Sequence, residues 1–531
     1  MNRDLPPATA GPGADRAASA AAALEVLCAP ELAPVVEMVL TVRSGAYEAH
    51  SADGRVRFRR HQVESNGTSG SATSVSLTYE ILSVEGVDPL ADQSPDRFAG
   101  YDAEEAGRFP ARSDNAYPHG YEQVAQFFDA PMAPDLCVVH SAAHNYEDRG
   151  GHRGEHGSLD VVQARAPFVL AGKGVRSLGT VDRSCRLIDV APTLAALMGL
   201  RPGAGVGLDG RPRSDAYLAR QDGEALTDLL DAASARPRHV VGFLLDGCNP
   251  NTLYRLAASG AAPNVARLMD MGTAFRHGAM AGMPTVTLAN HTSVLTGAYP
   301  GHHHILHNAW WDRVSGEVVT TNSPATWPSA MRRLAPGIET LFAAVRRDDP
   351  AAFTAAVNEP VDTGAAYSTF DFFRRGEIPT FPQGPEDIPH ATLRFAEGLG
   401  DYRFNTLIDH MAMEQAVGLW RGRYLGQDYR ERPKFTWVSF QLTDAAFHAG
   451  GPRSEIAAAA VADTDGRIGE ILAAIEAAGA LENTAFLLVA DHGMEETDPG
   501  VRGDWDAALA GAGVSFRDEG AGFIYLDPVA R

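Results

Sequence analysis

The chain has almost no lysine: Lys173 and Lys434 are the only two in 531 residues, and arginine supplies the rest of its 45 basic side chains. Against 67 acidic residues the formal charge is −22, and no basic run interrupts the deficit. A nucleic-acid polymer or an anionic membrane needs a positive face, so neither is an expected partner. Cysteine is scarce as well. Cys28, Cys137, Cys185 and Cys248 stand far apart with no CxxC spacing. They read as free thiols of a reducing compartment, not as a disulfide frame or a zinc knuckle. No run of about 18 apolar residues occurs, and the opening MNRDLPPATAGPGADR carries no apolar signal core. These absences lead to the expectation of a soluble, cytoplasmic protein acting on small molecules, its oligomeric state left open.

What is present is a large apolar fraction, 45%, enough for a sizeable core. Residues 1–20 are rich in Pro, Ala and Gly and are expected to form a disordered tail. Ala21 to Val42 mixes a helix with a strand, and Ser51 to Arg60 reads as a hairpin around Asp53-Gly54. APDLCVVHSA (Ala133 to Ala142) and APFVLAGKGV have the pattern of buried strands, and DVAPTLAALMGL (Asp189 to Leu200) that of a helix closed by Gly199. Residues 201–238 are polar and read as a linker with one helix over Gly223 to Ser234. From residue 239 apolar strands alternate with helices, which predicts βαβ units and a mostly parallel sheet sandwiched by helices.

Three of those strands share a feature that propensity does not explain. HVVGFLL stops on Asp246, WVSFQLT on Asp444 and AFLLVA on Asp491. In open α/β sheets ligands gather beyond the carboxyl ends of the strands, so the three carboxylates are expected along one edge with His448 and His492 beside them. A strand-ending Asp is often only a helix N-cap. Three together, unbalanced, would repel one another; imidazoles and a divalent cation remove the conflict. Oxygen and nitrogen donors without thiolate suit zinc, manganese or a similar ion.

A candidate nucleophile lies in GMPTVTLANHTSVLTGAYPGHHHILHN, Gly282 to Asn308. Thr287 opens an amphipathic run, which puts its hydroxyl at a helix N-terminus where backbone N–H groups favour an oxyanion. A Thr hydroxyl is a weak nucleophile until a base or a metal activates it. The plain alternative is an N-cap, and Thr285 is a competing hydroxyl. Asn308 can donate its amide to a phosphoryl-type oxygen or simply close a turn. The three consecutive histidines His302, His303 and His304 read as a polar loop near the site, because neighbours in sequence converge poorly on one ion.

HVVGFLLDGCNPNTLYRLAASGAAPNVARLM, PTVTLANHTSVLTGAYPGHHHILHN, LTDAAFHAGGP and LLVADHGM, in this order and spacing, resemble the type I phosphodiesterase/nucleotide pyrophosphatase branch of the alkaline phosphatase superfamily. The Asp-Gly-Cys-x-Pro opening is similar also to phosphonoacetate hydrolase. The resemblance implies an alkaline-phosphatase-like fold, two divalent metal ions, zinc by expectation, and a metal-activated Thr attacking phosphorus. Carried onto this sequence, Asp246, Thr287, Asp491 and His492 would hold the activating ion, Asp444 and His448 the second, and Asn308 would bind phosphoryl oxygens. Phosphodiester or pyrophosphate cleavage is the expected activity. A phosphonoacetate hydrolase-like C–P hydrolase and a catalytically dead binding protein are the alternatives.

The resemblance also exposes a disorder of segments. The family takes a further His for its second ion from a Gly-x-His-Gly turn after the Asp-His pair, and no His follows Gly493 here. Instead GEHGS, with His156, followed by APFVLAGKGV and DVAPTLAALMGL, resembles the family's closing segment, placed before its opening one. The chain therefore reads as circularly permuted: family C-terminal part at 21–200, linker at 201–238, family N-terminal part at 239–531. On that reading His156 completes the second ion site, APDLCVVHSA joins the sheet of HVVGFLLDG, and Ala21 lies near Arg531. Residues 309–433 form a substrate-pocket insertion, where Trp310, Trp311, Tyr367 or Phe370 could stack on a leaving group, core packing being the commoner role for any one of them. The lysines that hold phosphonoacetate are missing there, with Arg374 or Arg375 as substitutes.

Overall fold

Apolar runs become the strands of two sheets that share one core. In the computed structural model, residues 3–4, 14–65, 74–97, 102, 106, 114–145, 151–377, 384–520 and 522–526 are described. Helix α1 (Ala14–Leu27) leads into the antiparallel strands β1 (Val36–Arg43), β2 (Ala46–Ser51), β3 (Gly54–Ser65) and β4 (Ser74–Gly86). After α2 (Gly120–Phe127) come β5 (Leu136–His140), β6 (Phe168–Gly172), β7 (Gly179–Val181) and α3 (Val190–Met198). The next stretch holds β8 (His239–Leu245), α4 (Pro250–Ala258), α5 (Pro263–Asp270), β9 (Gly272–Phe275) and α6 (Thr287–Thr296). Then follow β10 (Thr354–Val357), β11 (Tyr367–Ser368), α7 (Gly400–Arg421), β12 (Phe435–Phe440), α8 (Leu442–Gly450), α9 (Glu455–Ala477) and β13 (Thr484–Val489). The described chain closes with α10 (Trp505–Gly511), β14 (Phe516–Glu519) and β15 (Phe523–Leu526).

The central sheet runs β7-β9-β6-β13-β8-β12-β10-β11. It is parallel except at β6, which is antiparallel to both its neighbours. β8, β12 and β13 are buried along almost their whole length, as strands covered on both faces should be. Two strands from the first 200 residues, β6 and β7, are thus built into the sheet that the later part of the chain founds. The second sheet is antiparallel and runs β3-β2-β1-β5-β15-β14, with β4 and a two-residue strand, Arg3–Asp4, paired to β3. Side chains of both sheets belong to one apolar cluster, from Met38 and Phe58 to Phe243 and Leu488.

Several sequence expectations change. Residues 14–20 are the first turns of α1 and not a disordered tail, because an Ala-rich run favours helix and buries Ala20, Ala23, Leu24 and Leu27 against Trp505, Leu509, Ile524 and Leu526. Residues 1–2 and 5–13 lie outside the described residues, as does Arg531. The helix expected over Gly223 to Ser234 is a single 3-10 turn, Thr227–Leu229. Glu224 N–H donates to the Asp189 carboxylate and Leu226 N–H to the Thr193 hydroxyl, which pins this stretch against the start of α3. The expected linker carries three short strands of its own and buries Leu218 and Leu229 in the main core. Strand β5, expected in the same sheet as β8, lies in the antiparallel sheet between β1 and β15. A strand apolar on both faces gives no sign of which sheet it joins.

Spacing between β8 and β12 sets the separation of the residues that follow them. Gly242 in β8 faces Trp437 of β12 so closely that a Cβ would lie 2.3 Å from the indole ring. Gly242→Ala is expected to cost about 1–3 kcal/mol through overpacking, read as a lower midpoint in chemical denaturation. An unchanged midpoint would show that the indole has room to give.

Candidate metal centre and active site

Backbone geometry delivers the acidic residues to one edge of the central sheet. Asp246 follows β8, its N–H donating to Phe440 O of β12 at 2.9 Å and its own carbonyl accepting from the Thr443 hydroxyl at 2.6 Å. Gly247 then turns at φ 61°, and a Cβ there would lie 2.5 Å from Asp444 Oδ1. Only glycine permits that turn and that approach together. Gly247 N–H donates to Asp491 Oδ1 at 3.1 Å. Asp491 and His492 follow β13. Asp444 is not a strand end as expected: β12 stops at Phe440, and Asp444 occupies the first turn of α8 with His448 one turn on. The correction is local, since Gln441 N–H is taken by the buried Asp409 carboxylate and the chain enters helix there.

Three imidazoles approach in one manner. The Nδ1 of His156 lies 2.8 Å from Thr285 O, that of His448 2.7 Å from Gly154 O, and that of His492 2.9 Å from Gly493 O. A carbonyl only accepts, so each Nδ1 carries the proton. Each Nε2 is left to face the carboxylates. His492 Nε2 lies 3.1 Å from Asp491 and 3.8 Å from Asp246, His448 Nε2 3.4 Å from Asp444, and His156 Nε2 3.7 Å from Asp444. The His156 ring stacks on His492 at 3.8 Å and stands 5.0 Å from His448. Imidazoles fixed by an outer hydrogen bond with the other nitrogen turned inward are how proteins present metal ligands.

Donor chemistry also fits a cation. Asp246 Oδ1, Asp444 Oδ1, Asp491 Oδ2 and His492 Nε2 are buried with no hydrogen-bond partner, a costly state for polar atoms unless an ion satisfies them. The groups His156/Asp444/His448 and Asp246/Asp444/His492 each bring three ligand atoms within 4.8 Å of one another. Burial, with the charges of Asp491 and Asp444, pushes the Asp246 carboxyl well above its ordinary value. His492 is raised to about 9 because Asp491 outweighs its burial. A further grouping, His152/Glu155/His448, shares a ring whose Nδ1 is already given to Gly154 O.

Thr287 is the first residue of α6, with Val286 at the cap, and is 8% exposed. The competing hydroxyl is occupied: Thr285 Oγ1 donates to Ser158 O at 2.7 Å and accepts from Gly157 N–H at 2.9 Å. Asn308 Oδ1 accepts from Leu288 N–H at 3.3 Å, which puts its amide at the start of the same helix. A cleft beside Thr287 is lined by His291, Asn322, Trp327, Phe370 and Gln441. Of the aromatics expected there, only Phe370 lines it. Trp310 is core, Tyr367 is buried and donates to Gln415, and Trp311 lies under the Arg517 guanidinium. Arg374 pairs with Asp362 and Asp371, and Arg375 with Glu377, so neither is a free substrate clamp. His291, Glu359 and Trp327 were not singled out in the sequence. The one available signal for His291 was its place one turn after Thr287, on the same helix face.

The family model described as Type I phosphodiesterase / nucleotide pyrophosphatase matches residues 240–531, more than half of the chain. The chain belongs to this family. Among curated relatives, 94 residues are 33% identical to the alkaline phosphatase PafA of Elizabethkingia meningoseptica, covering 18% of this chain and 17% of that one. Another 23% identity extends over 264 residues of the Mus musculus ectonucleotide pyrophosphatase/phosphodiesterase family member 3, covering 49% of this chain and 25% of that one. The chain thus spans a quarter or less of the curated relatives it matches. Murine ectonucleotide pyrophosphatase/phosphodiesterase 5, solved in complex with AMP, aligns over 48% of this chain and 57% of its own at 14% identity and a TM-score of 0.32. The matched residues include every phosphodiesterase-type motif from Asp246 to His492, whereas His156 lies outside them.

The three consecutive histidines do not reach the centre. His303 meets the Ser293 hydroxyl. His302 bridges Asp222 (2.6 Å) and Asp129 (2.9 Å), and Asp129 in turn forms a two-pronged pair with Arg60 of β3. This ion cluster ties the 201–238 segment and the antiparallel sheet to the residues after α6. Burial opposes a charge on His302, but Asp222 and Asp129 outweigh it and raise its pKa. A raised folded-state pKa gives stability that is full below the ordinary histidine value and is lost as pH rises through the folded one. His302→Gln is therefore expected to cost about 3–5 kcal/mol near pH 6. The gap from the parent should narrow as pH rises above the ordinary histidine range, measured by denaturant unfolding. A gap independent of pH would show that His302 is neutral in the fold.

Proposed function

We propose that the protein hydrolyses phosphodiester or pyrophosphate bonds with Thr287 as nucleophile, at a centre of two divalent cations, zinc by the donor set. The observation that carries this reading is the pattern of three imidazoles, each with Nδ1 on a carbonyl and Nε2 turned toward carboxylates that each have an oxygen buried without a hydrogen-bond partner, beside a threonine that opens a helix. Asp246, Thr287, Asp491 and His492 would hold one cation, and Asp444, His448 and His156 the other. Such a pair supplies activation of a hydroxyl and charge neutralisation at the attacking and leaving oxygens.

The chain's own residues account for the rest. Thr287 Oγ1 attacks phosphorus in line, the bond from phosphorus to the leaving oxygen breaks, and that oxygen takes up a proton. Water then attacks the phosphoryl-threonine, returns the threonine hydroxyl and releases the second product. The α6 N-terminus and the Asn308 amide face the non-bridging oxygens, where preorganised N–H donors stabilise developing charge. Phe370 and Trp327, edge to face at 6.2 Å, offer an apolar wall to a second substituent. No lysine or unpaired arginine lines the described cleft to balance the extra charge of a monoester.

The same reading takes the segment order as a permutation. Its support is that β6 and His156, from the first 200 residues, complete a sheet and a ligand set founded after residue 239, and that α1 packs on β15.

Thr287→Ala is expected to lose turnover by about 1,000-fold or more while retaining close to the parent's zinc content. Retained activity there, lost instead in Thr285→Ala, would move the nucleophile. His156→Ala should lose roughly one of two zinc equivalents, by metal analysis after dialysis; full retention would remove His156 from the centre. Aryl phosphodiesters and dinucleotide pyrophosphates should exceed aryl monoesters in kcat/KM. A preference for monoesters, or acetate release from phosphonoacetate as the best reaction, would overturn the substrate assignment.

A further inference from the structure

One buried imidazole at the centre lies outside the ligand set carried over from the family. His291 sits one turn after Thr287 on α6 and is 1% exposed. Its Nδ1 lies 2.9 Å from Glu359 Oε2. Glu359 is fully buried and is an acceptor on all sides: Trp437 Nε1–H donates at 3.1 Å, the Ser439 hydroxyl at 2.7 Å and Val361 N–H at 2.9 Å. Indole and backbone N–H groups only donate, so the carboxylate accepts and His291 Nδ1 carries the proton. Its Nε2 then points between two carboxylates, 3.8 Å from Asp246 Oδ2 and 3.8 Å from Asp491 Oδ2, and is itself buried without a hydrogen-bond partner.

The geometry points to His291 as a positioning residue: held by Glu359, its ring fills the space between Asp246 and Asp491 and keeps the start of α6, with Thr287, in register with them. The inference rests on the reading of this centre as a metal-dependent phosphohydrolase. Four elements meet at the imidazole. β12 holds Glu359 through Trp437 and Ser439, the ends of β8 and β13 carry the two carboxylates, and α6 carries the nucleophile. Displacing the ring would free all three distances at once. An error near 1 Å at a reacting oxygen is enough to cost about 100-fold in rate.

Zinc affinity is to be measured by competition with a chromophoric chelator, alongside steady-state kinetics on an aryl phosphodiester. In His291→Ala one of the two zinc equivalents should bind about 10–100-fold more weakly, with the other near the parent value. The kcat should fall in the same range while KM stays within about threefold. His291→Gln keeps side-chain volume between the two carboxylates and should recover much of the loss. His291→Asn restores only the Glu359 side and should not. Glu359→Gln, close to isosteric, keeps the fold and should weaken the same zinc equivalent to a smaller extent. Parent-like zinc binding in His291→Ala, or full recovery by His291→Asn, would overturn the assignment. Failure of the parent to cleave any ester would sink the proposed function instead, and the zinc competition would still report on His291.

Discussion

Mutual repulsion among Asp246, Asp444 and Asp491 is the constraint around which the rest of this molecule is arranged. Three carboxylates from three elements, two of them almost fully buried, cannot share one edge of a sheet in water-poor surroundings without compensation. His156, His448 and His492 provide part of it, each held by a backbone carbonyl so that its Nε2 faces inward. On the proposed function a divalent cation would provide the remainder. Even the glycine at 247 belongs to this arrangement, because its turn allows Asp444 to come close to the end of β8.

Much of that was legible before any coordinates. Asp246 and Asp491 ending apolar strands, and Asp444 with His448 four residues later, are local patterns, and local patterns survive folding. The hydroxyl at Thr287 was readable for the same reason, and the fold separates it from Thr285 by engaging the latter's oxygen with Ser158 and Gly157. The parallel core was visible in the continuous apolar character of β8, β12 and β13.

What was hidden depended on partners distant in sequence. His291 looked like one more polar residue on an amphipathic helix, because Glu359 lies 68 residues away and on another element. Trp327 was one aromatic among many until the cleft placed it opposite Phe370. The 201–238 segment read as a linker because its polar residues gave no hint that Asp222 would be buried against His302. Strand β5 was assigned to the wrong sheet because both sheets accept the same apolar pattern. The Gly223 to Ser234 helix failed for a related reason: its first residues are pinned by Asp189 and Thr193, some thirty positions upstream.

The placement of β6 also bears on how the chain reaches its native state. Between β9 and β13, β6 pairs with residues about a hundred and more than three hundred positions further along. Contacts of such sequence separation form slowly, since the entropy of closing long loops is spent before the pairing repays it. During synthesis β6 emerges early and waits for β13, one of the last strands, with an apolar edge open. The element that brings the early and late parts of the chain together is therefore also the one most exposed to wrong partners while the chain is incomplete.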